Sequence, residues 1–341
     1  MRVAFLLGVL LFATLVPRVP LASDALATRI IDRHVVPGYQ ALVDATARMD
    51  SQISEWCTGA ADGDAARDAF ADGFVAWARI QHIDAGPIQS FDRRFRMQFW
   101  PDPRSLTTRR LSAALGHDVD VSSASVAIQG FPALERLVVA AQPGDDACRL
   151  ATAVARNIAD ISSAILEDWI KPGGFREEML KRGPAALFQT DAEALRALVS
   201  GVQASLQAVS DVQLGRPVGK EGGRPRPKRA EAWRTGLSLD LIRARLAAAN
   251  AFYLADGGGL DQALRTADQV NLADLVLRAF AQTRATAGGI TLPLMEVVTD
   301  PDGRRTIRHL MIEVRSLRAL LSGDVAAALG IPFGFNRMDG D

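Results

Sequence analysis

The chain has 341 residues, 48% hydrophobic and 23% charged, and its 39 basic side chains balance its 39 acidic ones. That length excludes a single small domain and favours two of ordinary size. Zero net charge supplies no global field to recruit DNA, RNA or an anionic membrane.

The first element is a processing signal. Arg2 precedes an apolar run from Val3 to Val16, and Ser23-Asp24-Ala25 and Ala25-Leu26-Ala27 are small-x-small cleavage sites. Residues 1–27 therefore read as a signal peptide, with an uncleaved anchor as the alternative; the run is too short for a stable membrane span. No cysteine lies near the cleavage region, so no lipid anchor is expected. Export to an oxidising compartment makes the only two cysteines, Cys57 and Cys148, an expected disulfide, against the alternative of two buried thiols.

The rest reads as amphipathic helices. Phe70, Phe74, Trp77 and Gln81 form one stripe, ended by Asp84-Ala85-Gly86-Pro87. Val154, Ile158, Ile161, Ile165 and Trp169 form another, ended by Pro172-Gly173-Gly174. Leu239 to Phe252, Leu275 to Thr286 and Leu310 to Leu321 add three more, and strand-like alternation is scarce. The breaks at Pro172-Gly174 and Gly183-Pro184 divide the mature chain into residues 28–174 and 175–341. Short helical hairpins with apolar stripes pack most simply as antiparallel bundles, so an all-α fold is predicted. The Gly219–Lys228 stretch is a basic loop, either solvated or able to meet an anionic ligand.

Four segments carry a resemblance: Phe99-Trp100-Pro101-Asp102, Gln129-Gly130-Phe131-Pro132-Ala133-Leu134-Glu135, Glu231-Ala232-Trp233-Arg234-Thr235-Gly236-Leu237-Ser238, and Leu329-Gly330-Ile331-Pro332-Phe333-Gly334-Phe335-Asn336 followed by Asp339-Gly340-Asp341. From about Ile30 to the C-terminus the chain resembles the imelysin, or M75 peptidase-like, family of bacterial envelope proteins. The resemblance implies two related helical-bundle halves packed together, and a periplasmic location.

Family members regarded as metal-binding or peptidase-like carry Gly-x-His-x-x-Glu. Here Gly130 and Glu135 match, but Pro132 stands at the His position. Proline has no ring nitrogen to coordinate a metal, though it suits a helix start. Glu135 is then either a structural helix-start carboxylate or a surviving ligand between the halves, with His82 as a second metal ligand that the fold would have to bring close. Of the four histidines, His34, His117 and His309 read as surface or satisfied residues. The family pattern Glu-x-Trp-Arg-Ser-x-x-Ser is met by Glu231, Trp233, Arg234 and Ser238, with Thr235 for the first serine. Arg234 can grip an anion through its planar fork, and Ser238 can cap a helix or bond a ligand. Trp100-Pro101-Asp102, after Arg93, Arg94 and Arg96, reads as a loop bracing the first bundle.

The leading expectation is a periplasmic, non-catalytic binding protein using Glu135, Glu231, Arg234 and Ser238. Its ligand would be a metal ion (iron first, because relatives are linked to iron uptake), a metal complex or a small anionic molecule. Other envelope iron-uptake components are the implied partners. The alternatives are an M75-type metallopeptidase, which Pro132 argues against, and a structural or partner-binding envelope module.

Overall fold

The computed structural model describes residues 23–220 and 222–332. Residues 1–22 of the leader and Phe333 to Asp341 of the C-terminal pattern lie outside them. Among the described residues all regular structure is helical.

Helix α1 (Ser23–Ile30) passes through a π-helical turn (Ile31–Val35) into α2 (Val36–Cys57), and α3 (Gly63–Ile80) folds back on α2. Short helices α4 (Arg93–Met97) and α5 (Leu106–Ala114) lead to α6 (Phe131–Ala140) and the long α7 (Asp146–Ile170). Then come α8 (Phe175–Leu180), α9 (Asp191–Gln207), a second π-helical turn (Ala208–Leu214) and α10 (Gly215–Val218). The chain continues through α11 (Ser238–Leu254), α12 (Leu260–Thr266), α13 (Val270–Gly288), α14 (Leu294–Val297) and α15 (Pro301–Leu320). A third π-helical turn (Leu321–Val325) and α16 (Ala326–Ala328) follow.

Capping fixes several of these helices. Asp145 accepts from the Cys148 N–H at the start of α7, Thr190 from Glu193 at α9, and Asp300 from Gly303 at α15. Each such cap contributes about 1 kcal/mol. α2 packs on α3 and α7, and α6 on α7; α13 packs on α11 and α15. The two groups are joined where α11 lies against α3 and α1 against α9. A single hydrophobic core runs through both, from Leu26 to Ile331. Cys57 and Cys148 form a disulfide, Cα to Cα 5.4 Å, tying the end of α2 to the start of α7.

The predicted stripe of α3 faces inward: Phe70, Phe74 and Trp77 are all buried, and Phe74 stacks on Phe131 of α6 at 4.6 Å between centroids. Each fully buried aromatic contributes roughly 1.5–3 kcal/mol, so this contact fixes α6 against α3. One stripe is displaced from its expected position. In α13, Val276, Phe280, Thr283 and Ala287 turn inward, while Leu275 stays exposed. No helix among the described residues is long and apolar enough to cross a membrane.

Candidate functional site

Helix α6 begins where the sequence placed it. Gly130 is the N-cap residue and Pro132 lies in the first turn, where a missing N–H costs nothing. Gly130 is required by close approach: a Cβ there would collide with the backbone carbonyls of Arg96 and Met97. The preceding residue is clamped as well. The Gln129 carbonyl accepts from Asn157 Nδ2 at 2.8 Å, and its side-chain oxygen accepts from Arg96 Nε at 2.5 Å.

Glu135 is the fifth residue of α6, beyond the first turn, so the helix N-terminus is not its partner. Its Oε1 accepts the backbone N–H of Arg234 at 2.9 Å and of Thr235 at 3.3 Å. The Arg234 guanidinium stands 4.0 Å from Oε2. Burial raises the Glu135 carboxyl above its ordinary value, against the opposing pull of these N–H groups and of the Arg234 and Arg136 guanidiniums.

The Glu231–Leu237 segment runs as turns rather than helix, with Ala232 at φ 47° and Gly236 at φ 76°. Glu231 pairs not with Arg234 but with Arg245 of α11, at 2.8 and 3.1 Å, and both side chains are almost fully buried. Amides from the first half complete this polar knot. Gln81 Oε1 accepts from Arg245 at 2.9 and 2.8 Å, Gln98 Nε2 donates to Glu231, and Trp77 Nε1 donates to Gln98 Oε1 at 2.7 Å. Ser238 does not cap α11; its hydroxyl donates to the Glu231 carbonyl.

In front of the knot lies a cavity of about 380 Å³, lined from both halves of the chain. Glu135, Glu231 and Arg234 share its wall, whereas Ser238 sits behind it. Sequence reasoning missed several wall residues. Trp100 and Asp102 line the cavity instead of merely bracing a bundle, and Asp102 accepts from the N–H groups of Leu106 and Thr107 at the start of α5. Those two N–H bonds hold the Asp102 carboxyl low despite some desolvation. Arg136, Arg216, Lys228 and Arg229 add positive charge. Of these only Lys228 carried a signal, at the end of the basic loop. The Arg234 guanidinium stacks over Trp233 at 4.3 Å.

A wider hollow of about 700 Å³ lies beside Asp84 and Asp168, but its carboxylates are engaged: Asp84 by Arg94, Asp168 by Arg93 and Lys171. Another of about 660 Å³ has a largely alanine floor. Arg33, Arg48, Asp72 and Arg79 also line that hollow, but of these spaces the smaller cavity is the one lined by Glu135, Glu231 and Arg234.

His82 is not at that cavity. Its Nε2 lies 2.8 Å from His34 Nε2, and both rings meet Phe252 edge-on. Burial lowers His34 to about 4 and holds His82 well below its ordinary value, so both are neutral at pH 7. The expectation of a bound metal, iron first, with Glu135 and His82 as ligands, is therefore corrected. Among the described residues no group of three or more His, Cys, Asp or Glu is placed to hold an ion. Protein metal sites normally need at least three such ligands, and here Glu135 Oε1 is spent on backbone donors while His82 faces His34.

The all-helical architecture is that of the imelysin-like proteins. The crystal structure of an imelysin-like protein from Psychrobacter arcticum 273-4 is similar, with a TM-score of 0.75 at 20% identity over 92% of this chain and 97% of that one. So is a structure from Parabacteroides distasonis ATCC 8503 carrying the name iron-regulated protein A precursor, with a TM-score of 0.73 at 14% identity over 90% and 95%. The imelysin (peptidase M75) family profile matches residues 35–321, and the chain belongs to that family. No curated protein matches it. A periplasmic location is consistent with this membership.

Proposed function

We propose that this protein is a non-catalytic envelope binding protein that holds a small anionic ligand in the cavity beside Glu135 and Arg234. The observation that carries the reading is the charge imbalance of the wall. Arg136, Arg216, Lys228, Arg229 and Arg234 face Asp102, Glu135 and Glu231, and Glu231 is already matched by Arg245 behind it. The cavity volume suits a small molecule rather than a polymer. In this reading Arg234 grips the anion. Glu135 holds the Arg234 turn in place through two backbone N–H groups, and Ser238 and Arg245 fix Glu231. Family membership supports a role in ligand handling in the envelope. Hydrolysis is not part of the reading, because Pro132 replaces the family histidine.

A thermal-shift series with acetate and succinate tests this at constant ionic strength. Ligand that binds only the native state raises the melting temperature. The reading expects a rise that Arg234→Gln abolishes; no rise with either anion overturns it.

A further inference from the structure

Three of the five cations on the cavity wall lack a carboxylate partner among the described residues. Glu135 faces Arg234, and Asp102 acts on Arg136. Arg216, Lys228 and Arg229 remain. Arg216 is the most telling. It projects from the four-residue α10 into the cavity wall, half-buried, and its Nε is buried with no hydrogen-bond partner. A buried donor left without an acceptor is destabilising. Arginine does not shed its proton in a protein, so repulsion between Arg216 and the nearby Arg229 persists.

The backbone holds these charges together. The Arg226 N–H donates to the Pro217 carbonyl at 2.7 Å, folding the basic loop back onto α10. The 3-10 turn Pro227–Arg229 then sets Lys228 and Arg229 on the same wall as Arg216. Lys228 also lies over the Trp233 ring at 5.5 Å, the ring that stacks on Arg234. Surface cations normally spread apart or pair with carboxylates. Here a fold-imposed cluster encloses a cavity of about 380 Å³.

Building on the anion reading above, we infer that the ligand is a small polyanion carrying two or more negative charges on carboxylate or phosphate oxygens, and that Arg216 and Arg229 are binding residues beside Arg234. A single carboxylate satisfies Arg234 and leaves the Arg216–Arg229 repulsion in place. A second anionic group placed between those two guanidiniums removes the repulsion. The cavity is too small for nucleic acid or a polymeric polyanion, so the charges sit on one compact molecule.

Isothermal titration calorimetry with acetate, succinate, citrate and pyrophosphate, at matched ionic strength, reads this out on the wild type and on Arg216→Gln and Arg229→Gln. The inference expects affinity to rise at least about tenfold from acetate to the tighter of citrate and pyrophosphate, and each variant to lose about tenfold for that polyanion but little for acetate. Which of the two binds tighter separates carboxylate from phosphate chemistry. Arg229 is exposed, so Arg229→Gln keeps the test decisive should Arg216→Gln fold poorly. Equal affinity for acetate and the polyanions overturns this inference while leaving the anion reading standing. Wild-type affinity for polyanions in Arg229→Gln does the same. No heat with any anion overturns both.

Discussion

Glu135 of α6 reaches the second half of the chain by accepting the Arg234 backbone N–H at 2.9 Å, while the Arg234 side chain stays 4.0 Å from its other oxygen. The carboxylate holds a main-chain turn, and the guanidinium it positions remains available on the cavity wall.

This division of labour predicts different outcomes for two substitutions. Glu135→Gln keeps an acceptor for the backbone donors and removes a charge that burial disfavours. Its stability at pH 7 is expected within about 1 kcal/mol of wild type. Glu135→Ala leaves the Arg234 and Thr235 N–H groups unpaired and opens a hole beside Pro132. It should cost roughly 1–3 kcal/mol, read by urea denaturation.

The Arg245–Glu231 pair behaves differently, because both charges are buried. Arg245→Met strands the Glu231 carboxylate and the Gln81 oxygen away from water. Destabilisation of roughly 3–5 kcal/mol is expected from chemical denaturation. Adding Glu231→Gln should restore part of that loss, since the stranded charge is then gone. A double variant as unstable as the sum of the singles would contradict the pairing.

The half-buried His34 and the buried His82 beside it predict a pH dependence. Their native-state proton affinities are lowered by burial, His34 to about 4 from 6.5. Above pH 6.5 neither state binds the proton and the histidines contribute no slope. Below it the unfolded chain takes up protons that the native state refuses, so stability falls as pH drops from 6.5 toward 4. Denaturation midpoints across this range should fall by the equivalent of roughly 1–3 kcal/mol. A His34→Leu, His82→Leu double variant should show a flatter profile over the same window, with other carboxylate titrations unchanged.

The sequence made the helices legible wherever one stripe faced one core. Phe70, Phe74 and Trp77 repeat every three or four residues because α3 buries a single face, and Pro132 marks the opening of α6 because proline fits a first turn. The Cys57–Cys148 bond was legible from an even count in an exported chain. The three π-helical turns were not, since each inserts a residue into the 3.6 repeat without any residue type that demands it. One of them carries His34 to His82, a contact that periodicity cannot show. The cavity was half legible. Glu135, Glu231 and Arg234 stand in recognisable motifs, but Glu231 pairs with Arg245 across a turn, and a folded-back loop sets Arg229 on the same wall as Arg216. Those partners are chosen by tertiary packing, and local spacing holds no record of them.

The most direct measurement of the central claim is an anomalous difference map from crystals soaked in selenate, a compact divalent oxyanion whose selenium marks its own position. The account predicts a peak inside the Glu135 cavity, within hydrogen-bond reach of Arg234 and of Arg216 or Arg229, and its loss in Arg234→Gln crystals. An empty cavity beside occupied surface sites, or a cavity peak unchanged by Arg234→Gln, would contradict it.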